Sequence, residues 1–208
     1  MLVQKVLSSP ITIVTKLESK LVLKEASSGA FFFSGFASFW IPSIFSQMTS
    51  LQINIIDMAA TRDFAGQLAK LLKPGDVVLL EGDLGAGKSA LARAIIQSLP
   101  DKNGQISQEE VPSPTFTIVQ IYERLVSDIW HFDLYRVSDP EELYEIGIEE
   151  AFSDQISLIE WPDRLGHLTP VNFLKITIEF GAEEEARNLV LTGSRDWIGR
   201  LSSLGTQL

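Results

Sequence analysis

Between Gly82 and Ser89 the chain reads Gly-Asp-Leu-Gly-Ala-Gly-Lys-Ser, which satisfies the spacing G-x-x-x-x-G-K-[ST]. Each residue type in this run has a physical use. Glycines let successive backbone amides approach and surround phosphate oxygens, and a helix that starts just after them adds a favourable dipole. Lys88 is then expected to reach the β and γ phosphates of a nucleoside triphosphate, and Ser89 to offer its hydroxyl to Mg²⁺. Gly85, Ala86, Gly87, Lys88, Ser89 and Ala90 form the expected nucleotide-contacting run. A magnesium site also needs carboxylate oxygen, which in such folds comes from a strand end near the phosphate loop. Two acids qualify: Asp133 follows the apolar Ile129-Trp-His-Phe132, and Glu160 follows Ser157-Leu-Ile159. Spacing alone does not rank them.

The elements around these residues give the loop its mechanical meaning. Val77 to Leu80 is a continuous apolar run, as expected of a strand buried on both faces, and Leu91, Ala94 and Ile95 recur at helical spacing after the loop. Upstream, Ile53 to Ile56 reads as a strand and Ala59 to Leu72 as a helix with Phe64, Leu68 and Leu71 on one face, ended by Pro74 and Gly75. Downstream, Phe116–Tyr122 and Asp128–Tyr135 read as strands, Pro140 to Phe152 as an acidic helix, and Ile156–Trp161 as a further strand. The runs 173–180 and 188–193, joined through GAEEEAR, predict a C-terminal β-hairpin, followed by a short helix. The alternation predicts an α/β fold of the P-loop NTPase kind, with a largely parallel central sheet flanked by helices.

Residues 51–208 carry this patterning and are read as one P-loop ATPase domain. Residues 1–50 differ: they hold four Lys and two acids, and 26–56 carry no charge. Their apolar centre, Ala30 to Phe45, is interrupted by Ser, Gly and Pro42 and falls short of the roughly 20 residues a membrane span needs. Glu18 and Glu25 precede it, against the order of a secretory signal. The segment is therefore read as an N-terminal extension, with Met48 and Met58 close to where the patterning begins. No membrane contact is expected.

The whole chain carries 17 basic and 27 acidic residues, a net charge of −10. That balance argues against broad contact with a phosphate backbone, so any RNA involvement is expected to be indirect. The absence of cysteine excludes disulfides, thiolate metal sites and a cysteine nucleophile, and fits a cytoplasmic location. His131 and His167 are the two histidines and stand far apart, so a histidine-based zinc site is not expected.

Five motifs then occur in order with compatible gaps: GDLGAGKS, SPTFTIV at 113–119, HFDLYR at 131–136, DPEELYEIGIEEAF at 139–152, and IEWPDR at 159–164. Together they resemble the bacterial TsaE (YjeE) ATPases, over about 57–191. Ser89 stands where these proteins usually carry Thr, which keeps the hydroxyl. The resemblance implies an ATPase, with ATP and Mg²⁺ as cofactors, needed for the threonylcarbamoyl modification of the adenosine beside the anticodon of certain tRNAs. It implies partners called TsaD and TsaB, and implies that the ATPase sustains their complex without transferring the group itself. It also assigns Glu160 with Ser89 to the metal and makes Asp133 an active-site acid that orients water. Thr115 resembles a switch residue near the γ phosphate, and Arg187 is placed to reach the nucleotide from the hairpin. With Lys88, Asp133 and Thr115 form the expected catalytic set. Trp161 is expected near the nucleotide or at a partner surface, and Arg136 is the nearest candidate for an arginine finger. The competing class is a P-loop kinase for a small metabolite. Its mobile, arginine-rich lid has no counterpart in 101–110, which holds one Lys and no Arg.

Overall fold

The computed structural model describes residues 11–16, 49–106 and 109–202. They form eight strands in one sheet: β1 (Ile11–Lys16), β2 (Thr49–Ile55), β3 (Val77–Glu81), β4 (Val119–Tyr122), β5 (Ile129–Asp133), β6 (Ile156–Glu160), β7 (Leu174–Phe180) and β8 (Arg187–Gly193). The spatial order is β1-β2-β8-β7-β3-β6-β5-β4. The parallel expectation holds at the centre, where β7, β3, β6 and β5 run together. Both flanks are antiparallel, since β7 turns back into β8, β8 pairs with β2, β2 with β1, and β4 with β5.

Burial follows this arrangement. Every residue of β5 and β6 is buried, as are Val77 to Leu80 of β3, because helices cover both faces of the central strands. On one face α1 (Met58–Ala69), α2 (Lys88–Ser98) and α5 (Arg195–Ser202) pack over Val78, Leu80, Ile129 and Leu158. On the other, α3 (Glu142–Glu145), α4 (Ile148–Asp154) and the 3-10 segment Pro162–Leu168 cover Val77, Leu79, Phe132 and Ile159. Asp57 caps α1 by accepting from Ala60 N–H at 2.7 Å, which sets its start. A bidentate pair from Arg200 to the buried Asp76, at 2.6 and 2.9 Å, ties α5 to the start of β3.

Two sequence readings change in detail. The strand expected from Phe116 begins only at Val119. Ahead of it the chain turns, with Ile118 N–H donating to Pro114 O at 2.6 Å, Ile118 at φ +66° and Phe116 86% exposed. A β-branched residue in the left-handed region is strained, so that turn is held by its surroundings. The single acidic helix expected over Pro140–Phe152 is split into α3 and α4 at Gly147, whose φ is +82°. A Cβ there would come within 3.2 Å of the Trp130 ring, so glycine lets the two helices close over that tryptophan. The described part of the expected 1–50 extension is chiefly β1, added at the sheet edge beside β2; the apolar stretch Ala30–Phe45 lies outside the described residues. Among the described residues, no helix is long and apolar enough to cross a membrane.

Candidate functional site

The loop leaves β3 at Glu81 and delivers the chain to α2 at Lys88. Gly82, at φ +146°, lies against β7: a Cβ there would fall 2.5 Å from Ile178 O. Gly87 precedes the first turn of α2 in the left-handed region, at φ +110°, which leaves the first helical amides directed toward the loop. Lys88 is buried. Its Nζ donates to Gly82 O at 2.7 Å and Asp83 O at 2.8 Å, and lies 3.8 Å from the centroid of the Trp161 ring. Burial pushes the Lys88 pKa below the ordinary lysine value, while the charges of Glu160, Asp133 and Asp83 act in the opposite direction.

The two candidate acids face each other across the parallel pair β5 and β6, in register, and both are buried. Their surroundings differ. Ser89 Oγ donates to Glu160 Oε2 at 2.8 Å, and the other oxygen, Oε1, lies 2.9 Å from His131 Nε2. Asp133 Oδ2 accepts from Ser113 Oγ at 3.0 Å and from Thr115 Oγ1, while Oδ1 accepts from Tyr135 N–H at 3.1 Å. One acid is thus joined to the phosphate loop and the other to the strained turn that carries Thr115. The fit to magnesium is good: Ser89 Oγ and Glu160 Oε2 are two hard oxygens converging at the mouth of a glycine loop. Among the described residues, no group of three or more His, Cys, Asp or Glu is arranged to hold a metal alone. Such a site suits a cation that takes its remaining ligands from phosphate and water.

One cavity brings together Gly85, Gly87, Lys88, Ser89, Ala90, Thr115, Asp133 and Glu160, with Trp161 and Tyr135 on its wall. Ala86 and Arg187 lie outside it. Both line a neighbouring, mainly apolar cleft with Ile55, Met58, Thr61, Ile178 and Leu189, together with the acids Glu184 and Glu185, and the two hollows share Gly87 and Ala90. The Ala86 N–H is engaged within the loop, donating to Asp83 O at 3.1 Å, and Ala86 O accepts from Arg187 Nε at 2.8 Å. The Arg187 guanidinium also lies over Phe180, 4.9 Å from the ring centroid. Arg136 stacks on the exposed Phe116 at 5.5 Å, and neither residue lines the cavity that holds Lys88, Asp133 and Glu160. Sequence reasoning missed the cleft residues Ile55, Met58, Thr61, Ile178 and Leu189. They come from β2, α1, β7 and β8, and as ordinary apolar or hydroxyl residues they carry no motif.

The family model described as "Threonylcarbamoyl adenosine biosynthesis protein TsaE" matches residues 55–189 of this sequence. The chain belongs to the TsaE family. Curated TsaE relatives include "tRNA threonylcarbamoyladenosine biosynthesis protein TsaE" of Rickettsia prowazekii, 43% identical over 119 residues that cover 57% of this chain and 79% of the relative. The protein of the same name from Haemophilus influenzae is 37% identical over 150 residues, covering 69% of this chain and 90% of its own length. That from Bacillus subtilis is 34% identical over 139 residues, covering 66% and 83%. Among solved structures, the crystal structure of Bacillus subtilis YdiB superposes with a TM-score of 0.62 at 26% identity, covering 77% of this chain and 97% of that one. The TsaE match spans the phosphate loop, the Thr115 turn and both buried acids.

Proposed function

We propose that this TsaE-family chain is a Mg²⁺-dependent ATPase that supports threonylcarbamoylation of the adenosine beside the tRNA anticodon. It acts on the TsaD–TsaB complex and leaves the group transfer to those partners. The observation that carries the reading is the 2.8 Å contact between Ser89 Oγ and Glu160 Oε2 at the mouth of the glycine loop. A hydroxyl and a carboxylate side by side at this point are the two oxygens that a phosphate-loop enzyme would offer to magnesium, which supports the reading. When bound, magnesium would neutralise charge that develops on the transferring phosphoryl group.

The chain's own residues divide the remaining work. Lys88, its ammonium satisfied by Gly82 O and Asp83 O, is poised to exchange those carbonyls for phosphate oxygens. Asp133 lies across from Glu160 and is the acid placed to orient an attacking water. Thr115 donates to Asp133, so the turn that carries it senses the occupancy of the same cavity. The apolar cleft beside the loop has the position and lining to take the nucleoside end of ATP, with Arg187 fixing its wall through Ala86 O. Arg93 Nε donates to Val111 O at 2.8 Å and Gln97 Nε2 to Glu109 O at 2.9 Å, which ties the chain to α2 at Glu109 and Val111. The acidic chain meets tRNA only through its partners and works in the cytoplasm.

The test is ATP hydrolysis by the purified protein, alone and with TsaD, TsaB and tRNA, alongside assay of the modified adenosine. Hydrolysis stimulated by the partners and modification dependent on Lys88 support the reading. Phosphoryl transfer to a small metabolite, with no effect of the partners, refutes it.

A further inference from the structure

Alternation along β5 sends Ile129, His131 and Asp133 to the sheet face covered by α1 and α2, and Trp130 and Phe132 to the other. Ile129 packs in the core and Asp133 holds the Thr115 turn, which leaves His131 to be explained. It is fully buried, at 0% exposure, and its Nδ1 has no hydrogen-bond partner. An aliphatic side chain would fill the same space without burying an unpartnered polar nitrogen. What the imidazole does offer is Nε2, 2.9 Å from Glu160 Oε1. A metal-binding carboxylate only accepts hydrogen bonds, so Nε2 carries the hydrogen and donates it. Glu160 is therefore gripped at both oxygens by different donors, with Oε1 turned to His131 and Oε2 to Ser89.

We infer that His131 is a positioning residue for the cation site: its Nε2–H holds Glu160 Oε1, which fixes the carboxylate so that Oε2 and Ser89 Oγ present a pre-set pair of oxygens to a divalent metal. A donor that holds the far oxygen of a ligating carboxylate keeps it from rotating away from the metal. The inference rests on the reading that Ser89 and Glu160 share the metal.

The test measures Mn²⁺ affinity with ADP bound, from the resonance of free Mn²⁺, and ADP affinity in EDTA by calorimetry. His131→Leu is expected to weaken Mn²⁺ binding about 10- to 100-fold while metal-free ADP affinity stays within about twofold. His131→Gln, whose amide nitrogen reaches the Nε2 position, should restore Mn²⁺ affinity; His131→Asn, whose amide stops at the Nδ1 position, should not. Unchanged Mn²⁺ affinity in His131→Leu overturns the inference. So does equal rescue by Asn and Gln, or a parallel fall in metal-free ADP affinity. Should His131→Leu fail to fold, the Gln and Asn pair decides alone. Glu160→Gln separates the two levels: if it keeps Mn²⁺ affinity, the shared-metal reading falls and the inference with it. If Glu160→Gln loses the metal and His131→Leu does not, only the inference falls.

Discussion

Gly82 and Gly85 both lie in the glycine loop, yet their surroundings assign them different work, and alanine at each position separates the two roles. At Gly82 a Cβ would lie 2.5 Å from Ile178 O and 3.2 Å from Ala86 Cβ, in a backbone at φ +146°. The nearest atom belongs to the backbone of β7, which cannot swing aside as a side chain can. Overpacking of this kind costs roughly 1–3 kcal/mol, and left-handed backbone strain adds on the order of 1–3 kcal/mol. A smaller unfolded-state ensemble returns about 0.4–1 kcal/mol, so the net is roughly 1–5 kcal/mol. At about 2–4 °C per kcal/mol for a chain of this size, Gly82→Ala should lower Tm by roughly 2–20 °C. At Gly85 nothing lies within 4 Å of the added Cβ, leaving the strain of φ +79° alone. Gly85 lines the phosphate cavity, however, so its substitution should weaken ADP binding more than it lowers Tm. Thermal unfolding followed by circular dichroism, paired with ADP calorimetry, reads both effects. A Gly82→Ala protein that melts within the error of the parent, or a Gly85→Ala protein with the larger Tm loss, would refute the assignment.

Four further outcomes rest on the same geometry. Lys88→Ala should lose about 10- to 150-fold in ADP affinity, the worth of hydrogen bonds to a charged group, as read by calorimetry. Because burial lowers the Lys88 pKa and phosphate binding needs the protonated ammonium, ADP affinity should be fully present below that lowered value. It should then fall, as pH rises, before the ordinary lysine range is reached, whereas Lys88→Arg should show no such alkaline loss. Asp133→Asn should slow hydrolysis on the order of a hundredfold with little change in magnesium dependence, because that acid faces the Thr115 turn and not Ser89; a large shift in magnesium half-saturation would contradict it. A chain starting at Met48, which lacks β1 and leaves β2 at the sheet edge, should hydrolyse ATP as the full chain does, and insolubility or lost turnover would show that the sheet needs β1 to cover that edge.

What could be read from the sequence was what depends on neighbours along the chain. Val77 to Leu80 announces a strand, three glycines a loop, and Leu91, Ala94 and Ile95 a helix, so the phosphate loop and its flanks are legible in the sequence. Asp133 and Glu160 were visible as strand-end acids, but their difference was not. It depends on strand register and on which side chains reach across: Ser89 and His131 to one, Ser113 and Thr115 to the other. Phe116 and Ile118 have strand-like side chains, yet tertiary contacts hold them in a turn, where β propensity is overridden. The apolar cleft was hidden because Ile55 and Leu189 meet only through the pairing of β2 with β8. A regular α/β alternation also gives no sign that antiparallel strands will be added on both flanks of a parallel centre.

The pairing of β2 with β8 also sets a schedule for synthesis. β2 ends at Ile55, and its hydrogen-bonding partner is complete only at Gly193. At about 5–20 residues per second, a ribosome needs roughly 7–28 s to make the intervening stretch of about 140 residues. Throughout that interval β2 is a strand without its neighbour β8, a waiting edge open to mispairing with another nascent chain. The apolar cleft lacks Leu189 and Arg187 over the same period, so the phosphate loop is translated well before the wall beside it. Completion of that cleft is therefore a late event in the synthesis of each new chain, because the hairpin that closes it is the last part of the sheet to be made.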